Sequence, residues 1–140
     1  VVIVDTNVLV DVLGDDPDWA DWSITRMREL SSIHELAINP VIYAELSVTF
    51  DAVEDLDSAV SDLELKFVEI PRAALFLAGK AFVRYRKQRG AKANVLSDFF
   101  IGAQAAVMDC AILTRDTRRY RSYFPTVALV VPPNMERSEP

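Results

Sequence analysis

Apolar residues in this chain fall into short unbroken runs separated by longer stretches of helical periodicity. Val1-Val2-Ile3-Val4 is the first such run, and it stops abruptly at Asp5-Thr6-Asn7. An apolar run of that length, rich in β-branched residues and bounded by polar ones, predicts a strand buried on both faces. Leu36-Ala37-Ile38, Phe67-Val68-Glu69-Ile70, Ala111-Ile112-Leu113-Thr114 and Val127-Ala128-Leu129-Val130-Val131 predict four more. Between them lie helices. Val8 to Leu13 precedes Gly14, and a second helix follows the acidic Asp15-Asp16-Pro17-Asp18 and runs to about Ser31, with Trp19, Trp22, Met27 and Leu30 as its apolar stripe. Asn39 caps and Pro40 opens a third helix, to about Phe50, and Asp55 to Leu63 gives a fourth. Pro71 precedes a long helix from Arg72 to Gln88, with Leu75, Ala78, Phe82 and Tyr85 as its inner face and Gly90 as its stop; Ser97 caps a helix from Asp98 to about Met108. Strands alternating with helices in this way predict right-handed crossovers and a parallel α/β sheet covered on both faces.

With 140 residues, the chain suits one domain, placed at residues 1–131, and a polar tail at 132–140. No apolar run is long enough to span a bilayer and no basic-then-apolar leader opens the chain, so the expectation is a soluble, cytoplasmic protein with no membrane partner. With no initiator Met, the expectation is that the native sequence starts slightly earlier. One cysteine, Cys110, excludes an internal disulfide, and Cys110 with the single His34 cannot build a Cys/His metal site. Any metal must be held by oxygen.

The net charge of −6 divides unevenly: residues 1–64 carry 15 acids against Arg26 and Arg28, whereas residues 65–140 carry 13 bases against six acids. No acid occurs from Pro71 to Ser97, where Arg72, Lys80, Arg84, Arg86, Lys87, Arg89 and Lys92 accumulate, and Arg115, Arg118, Arg119 and Arg121 form a second basic cluster. Such clusters suit a polyanion, although a solvated helix face is the plainer account of either one alone.

Four acids stand where chemistry is done in parallel sheets, at the carboxyl ends of strands or on inward helix faces. Asp5 closes the first strand. Glu45 shares its helix face with Val41, Ile42 and Val48, and Asp98 shares its own with Ile101, Gly102 and Ala105. Asp116 follows the fourth strand, two residues after Thr114, so both point the same way if the chain stays extended. Each of the four taken singly could be a cap or a surface group. Together the four repel one another, no Lys or Arg occupies an equivalent inward position, and the simplest neutralising charge is Mg²⁺ or Mn²⁺. Asp11, Asp15, Asp16 and Asp109 read as caps, turns or surface.

Asp5-Thr6-Asn7-Val8-Leu9-Val10-Asp11, Pro40-Val41-Ile42-Tyr43-Ala44-Glu45-Leu46, Ser97-Asp98-Phe99-Phe100-Ile101-Gly102-Ala103-Gln104-Ala105 and Leu113-Thr114-Arg115-Asp116, with Tyr120 and Phe124-Pro125, resemble the ordered motifs of the PIN-domain family over nearly the whole chain. Within it they most resemble the VapC-type toxins of bacterial toxin–antitoxin pairs. The resemblance implies a three-layer α/β sandwich with a central, mostly parallel five-stranded sheet flanked by helices. It implies Asp5, Glu45, Asp98 and Asp116 as catalytic, metal-binding acids, with Asn7 and Thr114 as supporting polar groups. The implied activity is Mg²⁺- or Mn²⁺-dependent endoribonucleolytic cleavage to 5′-phosphate and 3′-hydroxyl ends; the two basic clusters would then grip the RNA, with Arg84, Arg86, Lys87, Arg115 and Arg118 as its contacts. A homodimer and a cognate VapB-type antitoxin are the implied partners. Gly102 stands where the family more often has Ala, a departure expected to leave chemistry alone. Two alternatives stay open: a metal-dependent DNA nuclease, and a PIN fold kept only for protein binding.

Overall fold

The computed structural model describes residues 1–88 and 96–133. Its centre is a five-stranded, wholly parallel sheet: β1 (Val2–Val4), β2 (Leu36–Ile38), β3 (Lys66–Phe67), β4 (Ala111–Leu113) and β5 (Leu129–Val130), in the order β3-β2-β1-β4-β5. Seven helices accompany it among the described residues: α1 (Thr6–Leu13), α2 (Ala20–Ser31), α3 (Pro40–Ser47), α4 (Val53–Asp62), α5 (Arg72–Lys87), α6 (Leu96–Met108) and α7 (Arg118–Tyr123). None of the described helices is long and apolar enough to cross a membrane. The α/β sandwich expected from the sequence is present, with the sheet parallel throughout.

β1 occupies the middle because all three of its residues are apolar and buried, so it tolerates neighbours on both edges and helices on both faces. Val2 pairs with Leu36 on one side and Ala111 on the other, and Val4 pairs with Leu113. The register levels the carboxyl ends of β1, β2 and β4, which bring up Asp5, Asn39 and Thr114. The chain also reverses direction across the sheet here, leaving β1 toward β2 and returning later to β4. Parallel sheets open a crevice at such a switch point.

The edge strands are shorter than the sequence suggested. Val68 N–H still reaches the carbonyl of Ile38 at 2.8 Å, but the carbonyl of Glu69 is taken by the Gln104 side chain at 3.1 Å, so the chain leaves the sheet before Ile70. β5 pairs on one side only and is confined to Leu129–Val130. The helix at residues 118–123 follows from a pattern hidden inside a basic cluster: Tyr120, Tyr123 and Phe124 recur at helical spacing among the arginines.

α5 packs on α6 through Ala74, Ala78 and Ala81 rather than through Leu75, which is 43% exposed. Three alanines let the helices approach closely, and that rotation leaves Phe82 and Tyr85 half-buried against Phe99, with ring centroids at 5.7 and 5.5 Å. Gly90, expected to stop α5, and the basic residues Arg89 and Lys92 lie outside the described residues, as do residues 134–140 of the tail. α6 begins at Leu96, which puts Ser97 inside it.

Gly102 has a structural reason that its chemistry does not show. A Cβ added there would fall 2.3 and 2.6 Å from Cδ2 and Cε2 of the buried Phe124 ring, which packs where a side chain would be. Gly102→Ala is therefore expected to destabilise the protein by about 1–3 kcal/mol through overpacking, read as a lowered thermal midpoint. Combination with Phe124→Leu should recover part of the loss; a neutral single substitution would show that the ring yields freely.

Candidate metal-binding active site

Asp5 combines the two roles that its position allows. It is the N-cap of α1, accepting from Thr6 N–H at 2.7 Å, which is why the helix starts at Thr6 rather than Val8. Its other oxygen, Oδ2, accepts from the hydroxyls of Tyr120 at 2.8 Å and Thr114 at 2.9 Å and more distantly from Asn7 Nδ2 at 3.4 Å. Burial raises the Asp5 pKa, these donors oppose the rise, and the Glu45 charge adds to it. The Tyr120 hydroxyl is itself buried, and burial with the nearby Asp5 charge pushes its pKa well above the usual phenol value.

Asn7 and Thr114 tie the carboxyl ends of β1 and β4 together. Asn7 Nδ2 donates to Thr114 Oγ1 at 3.2 Å, Asn7 Oδ1 accepts from Arg115 N–H at 3.1 Å, and Thr114 Oγ1 accepts from Asp116 N–H at 3.0 Å. The chain turns at Thr114 instead of remaining extended, and this turn carries Asp116, which is solvent-exposed.

Glu45 comes from α3 and receives the Thr6 hydroxyl at 2.5 Å. Its surroundings are less apolar than its helix spacing implied, because Val48 is 85% exposed and α3 ends at Ser47. Asp98 lies on the first turn of α6, above buried Ile101, Gly102 and Ala105. Burial raises its pKa to about 7; Asp5 and Asp116 add to the rise, Arg119 opposes it, and Glu45 adds a smaller contribution. Asp98 thus feels the charge of each of the other three predicted acids, and Asp5 that of Glu45.

The helices that carry Glu45 and Asp98 are joined by a buried amide bridge. Asn39 Oδ1 caps α3 through Ile42 N–H at 2.8 Å, and Asn39 Nδ2 donates to Gln104 Oε1 on α6 at 2.8 Å. Sequence reasoning recognised the cap but not the bridge, since nothing in either local stretch indicates a contact across 65 residues.

Among the described residues, no three Asp, Glu, His or Cys side chains stand close enough as they are to hold a metal ion. Two carboxylates are instead occupied by hydroxyls. The donor set nevertheless fits a hard cation: it is wholly oxygen, it is mutually repelling, and burial raises both Asp5 and Asp98, so a positive charge beside them would favour their ionised forms.

Of the expected RNA contacts, Arg84, Arg86, Lys87 and Arg118 are exposed, Arg84 lying over Tyr123 and Arg86 over Phe82. Arg115 is otherwise engaged. Its Nε and Nη2 donate to Asp11 at 2.6 and 2.9 Å, and its guanidinium lies 4.8 Å from the Trp19 ring centre. Asp11, read from sequence as a cap, turn or surface group, is buried and anchors this arginine. His34 is exposed in a loop.

The sequence matches the PIN domain model over residues 2–125, so the chain belongs to the PIN-domain family, a family of nucleases whose members generally use divalent metal ions. No curated protein sequence matches it. Among solved structures, the fold is similar to VapBC2 from Rickettsia felis bound to a DNA fragment from their promoter, at 17% identity and a TM-score of 0.71, covering 93% of this chain and 97% of that one. It is also similar to DNA-bound VapBC from Salmonella typhimurium, at 16% identity and 0.69 over 93% and 96%. FitAcB from Neisseria gonorrhoeae aligns at 17% identity and 0.64 over 92% and 96%.

Proposed function

We propose that this chain is a Mg²⁺- or Mn²⁺-dependent endoribonuclease of the VapC type, acting in the cytoplasm as the toxin of a toxin–antitoxin pair. The observation that carries this reading is the convergence of Asp5, Glu45, Asp98 and Asp116 at the switch point of a parallel sheet, with Asp98 raised to about 7 by burial and its acidic neighbours. Membership of a nuclease family and likeness to VapBC complexes support it.

Asp5, Glu45 and Asp98 would hold the metal, and Asp116, the exposed member, would hold a second ion or orient the attacking water. When bound, the ion would lower the pKa of water and neutralise charge developing on the phosphoryl oxygens. Tyr120, Thr114 and Thr6 donate to the carboxylates, which fixes Asp5 and Glu45 before substrate arrives. The amide bridge from Asn39 to Gln104 sets the spacing of the helices bearing Glu45 and Asp98. Arg84, Arg86, Lys87 and Arg118 would grip RNA phosphates, whereas Arg115 acts through the loop it braces. A histidine acid–base pair has no place here, since His34 is the only histidine of the sequence and is exposed in a loop. A VapB-type antitoxin and a second copy of the chain are the proposed protein partners.

Cleavage of total cellular RNA by antitoxin-free protein in Mg²⁺ or Mn²⁺ tests the reading, with EDTA and Asp5→Asn as controls and mapping of the ends formed. Discrete cuts with 5′-phosphates, lost in both controls, are expected. Cleavage indifferent to EDTA would refute the metal mechanism; folded protein that cuts no RNA would point to DNA or to a binding role.

A further inference from the structure

Arg119 stands apart from the other cations of the second basic cluster. Arg115 is saturated by Asp11, and Arg118 is exposed at the start of α7. Arg119 is half-buried, and its Nε is, among the described residues, the one buried side-chain nitrogen or oxygen without a hydrogen-bond partner. Burial closes Nε off from solvent, so an acceptor can reach this guanidinium only through its Nη groups.

Its surroundings fix where that acceptor would sit. The guanidinium lies 5.6 Å from the centre of the Tyr85 ring, Tyr85 lies 5.5 Å from Phe99, and Phe99 is the residue after Asp98. On the other side Arg119 precedes Tyr120, whose hydroxyl reaches Asp5 at 2.8 Å. Its charge is felt at Asp98, opposing the three acids there, yet Arg119 closes no ion pair with any carboxylate among the described residues. The Tyr85 ring holds one face of the guanidinium, and the charge felt at Asp98 puts it within electrostatic reach of the acid cluster.

We infer that Arg119 is a substrate-binding residue whose Nη groups, with Nε buried against the protein, hold a non-bridging oxygen of the RNA phosphate that lies over the carboxylate cluster. The inference rests on the nuclease reading and adds a cation of this chain beside the acids that would hold the metal. A guanidinium beside the acids that would hold the metal adds a second positive charge for the phosphate and so both affinity and alignment. Arg119 completes a site whose other groups are almost all anionic or neutral.

The test is fluorescence anisotropy of a single-stranded RNA oligonucleotide in EDTA, over a series of salt concentrations, for the wild type, Arg119→Gln and Arg119→Lys. Cleavage in Mg²⁺ is followed in parallel. Arg119→Gln is expected to weaken binding about tenfold or more and to reduce the salt slope by about one phosphate contact. Arg119→Lys, which keeps charge and stem and so guards against misfolding, should restore the slope but not the full affinity or turnover. Unchanged binding and slope in Arg119→Gln would overturn the inference and leave the arginine as a brace for Tyr85, and so would wild-type protein without affinity for RNA. Arg119→Lys equal to the wild type in both assays would overturn the guanidinium contact. If the wild type binds RNA but does not cut it, the binding series still decides Arg119 and only the hydrolytic assignment falls; if wild type and Arg119→Gln cut equally well, the reverse holds.

Discussion

Asp98→Asn is expected to abolish hydrolysis and, in metal-free protein, to raise stability at neutral pH. The first effect, on the order of 10²–10³-fold or more in turnover, follows from removing one of the groups proposed to hold charge at the reacting phosphate. The second follows from linkage. Asp98 has a folded pKa of about 7 against an ordinary value of 3.8, so between those pH values the folded state binds a proton that the unfolded state has already lost. Stability therefore falls as pH rises through that window, and above it the ionised carboxylate carries its full penalty. Asparagine removes the titration. Melting in EDTA from pH 4 to pH 8 should show a declining contribution in the wild type that is absent in the variant, with the variant ahead at pH 8. Added Mg²⁺ should reverse the order, because a ligand that binds only the folded state stabilises it by mass action and the variant binds it less well. Equal pH profiles with and without the substitution would mean that neither burial nor the other acids shift Asp98, and the metal site would lose its electrostatic basis.

That electrostatic coupling was legible in the sequence for a simple reason: each acid is tied to a local signal. Asp5 ends a run of apolar β-branched residues, Glu45 and Asp98 fall at helical spacing with apolar neighbours, and Asp116 follows a strand. Parallel topology then puts strand ends together without further information. The groups that hold those acids were harder to see. Tyr120 lies in a short helix among arginines, and its hydroxyl reaches Asp5 across 115 residues. The bridge between Asn39 and Gln104 likewise joins two elements that are distant in sequence. Contacts of this sort depend on how helices pack, and helical periodicity leaves the packing angle open. Leu75 illustrates the same limit: its spacing suits a buried face, but three alanines on α5 allow a closer approach that turns it outward. The edge strands were overestimated because apolar composition is shared by ladder residues and by the segments that pack beneath the sheet after leaving it.

Asp11 was misread for a related reason, and it carries the largest expected effect on stability. A carboxylate on the second turn of a short helix, next to solvent-exposed Val10, resembles a surface group; in the fold it is buried at 3% side-chain exposure and accepts two hydrogen bonds from the Arg115 guanidinium. Ser23 Oγ of α2 donates to the same carboxylate at 3.2 Å, and Trp19 covers the guanidinium. One ion pair thus fastens α1 and α2 to the loop after β4. Asp11→Ala would strand Arg115, which is only 25% exposed, without its counter-charge, and the expected cost is about 3 kcal/mol. For a chain of this size that corresponds to roughly 10 °C in thermal midpoint. Activity should fall further than the folded fraction does, because Arg115 N–H holds Asn7 and the same loop carries Thr114 and Asp116. The decisive comparison is Asp11→Ala with Arg115→Met, alone and together. Removing both partners replaces a stranded charge with an apolar stem against Trp19, so the double variant should be more stable than Asp11→Ala alone. Additive losses would mean that the two side chains act independently, and the brace on the catalytic loop would have to come from the hydrogen bond between Asn7 and Arg115 N–H instead.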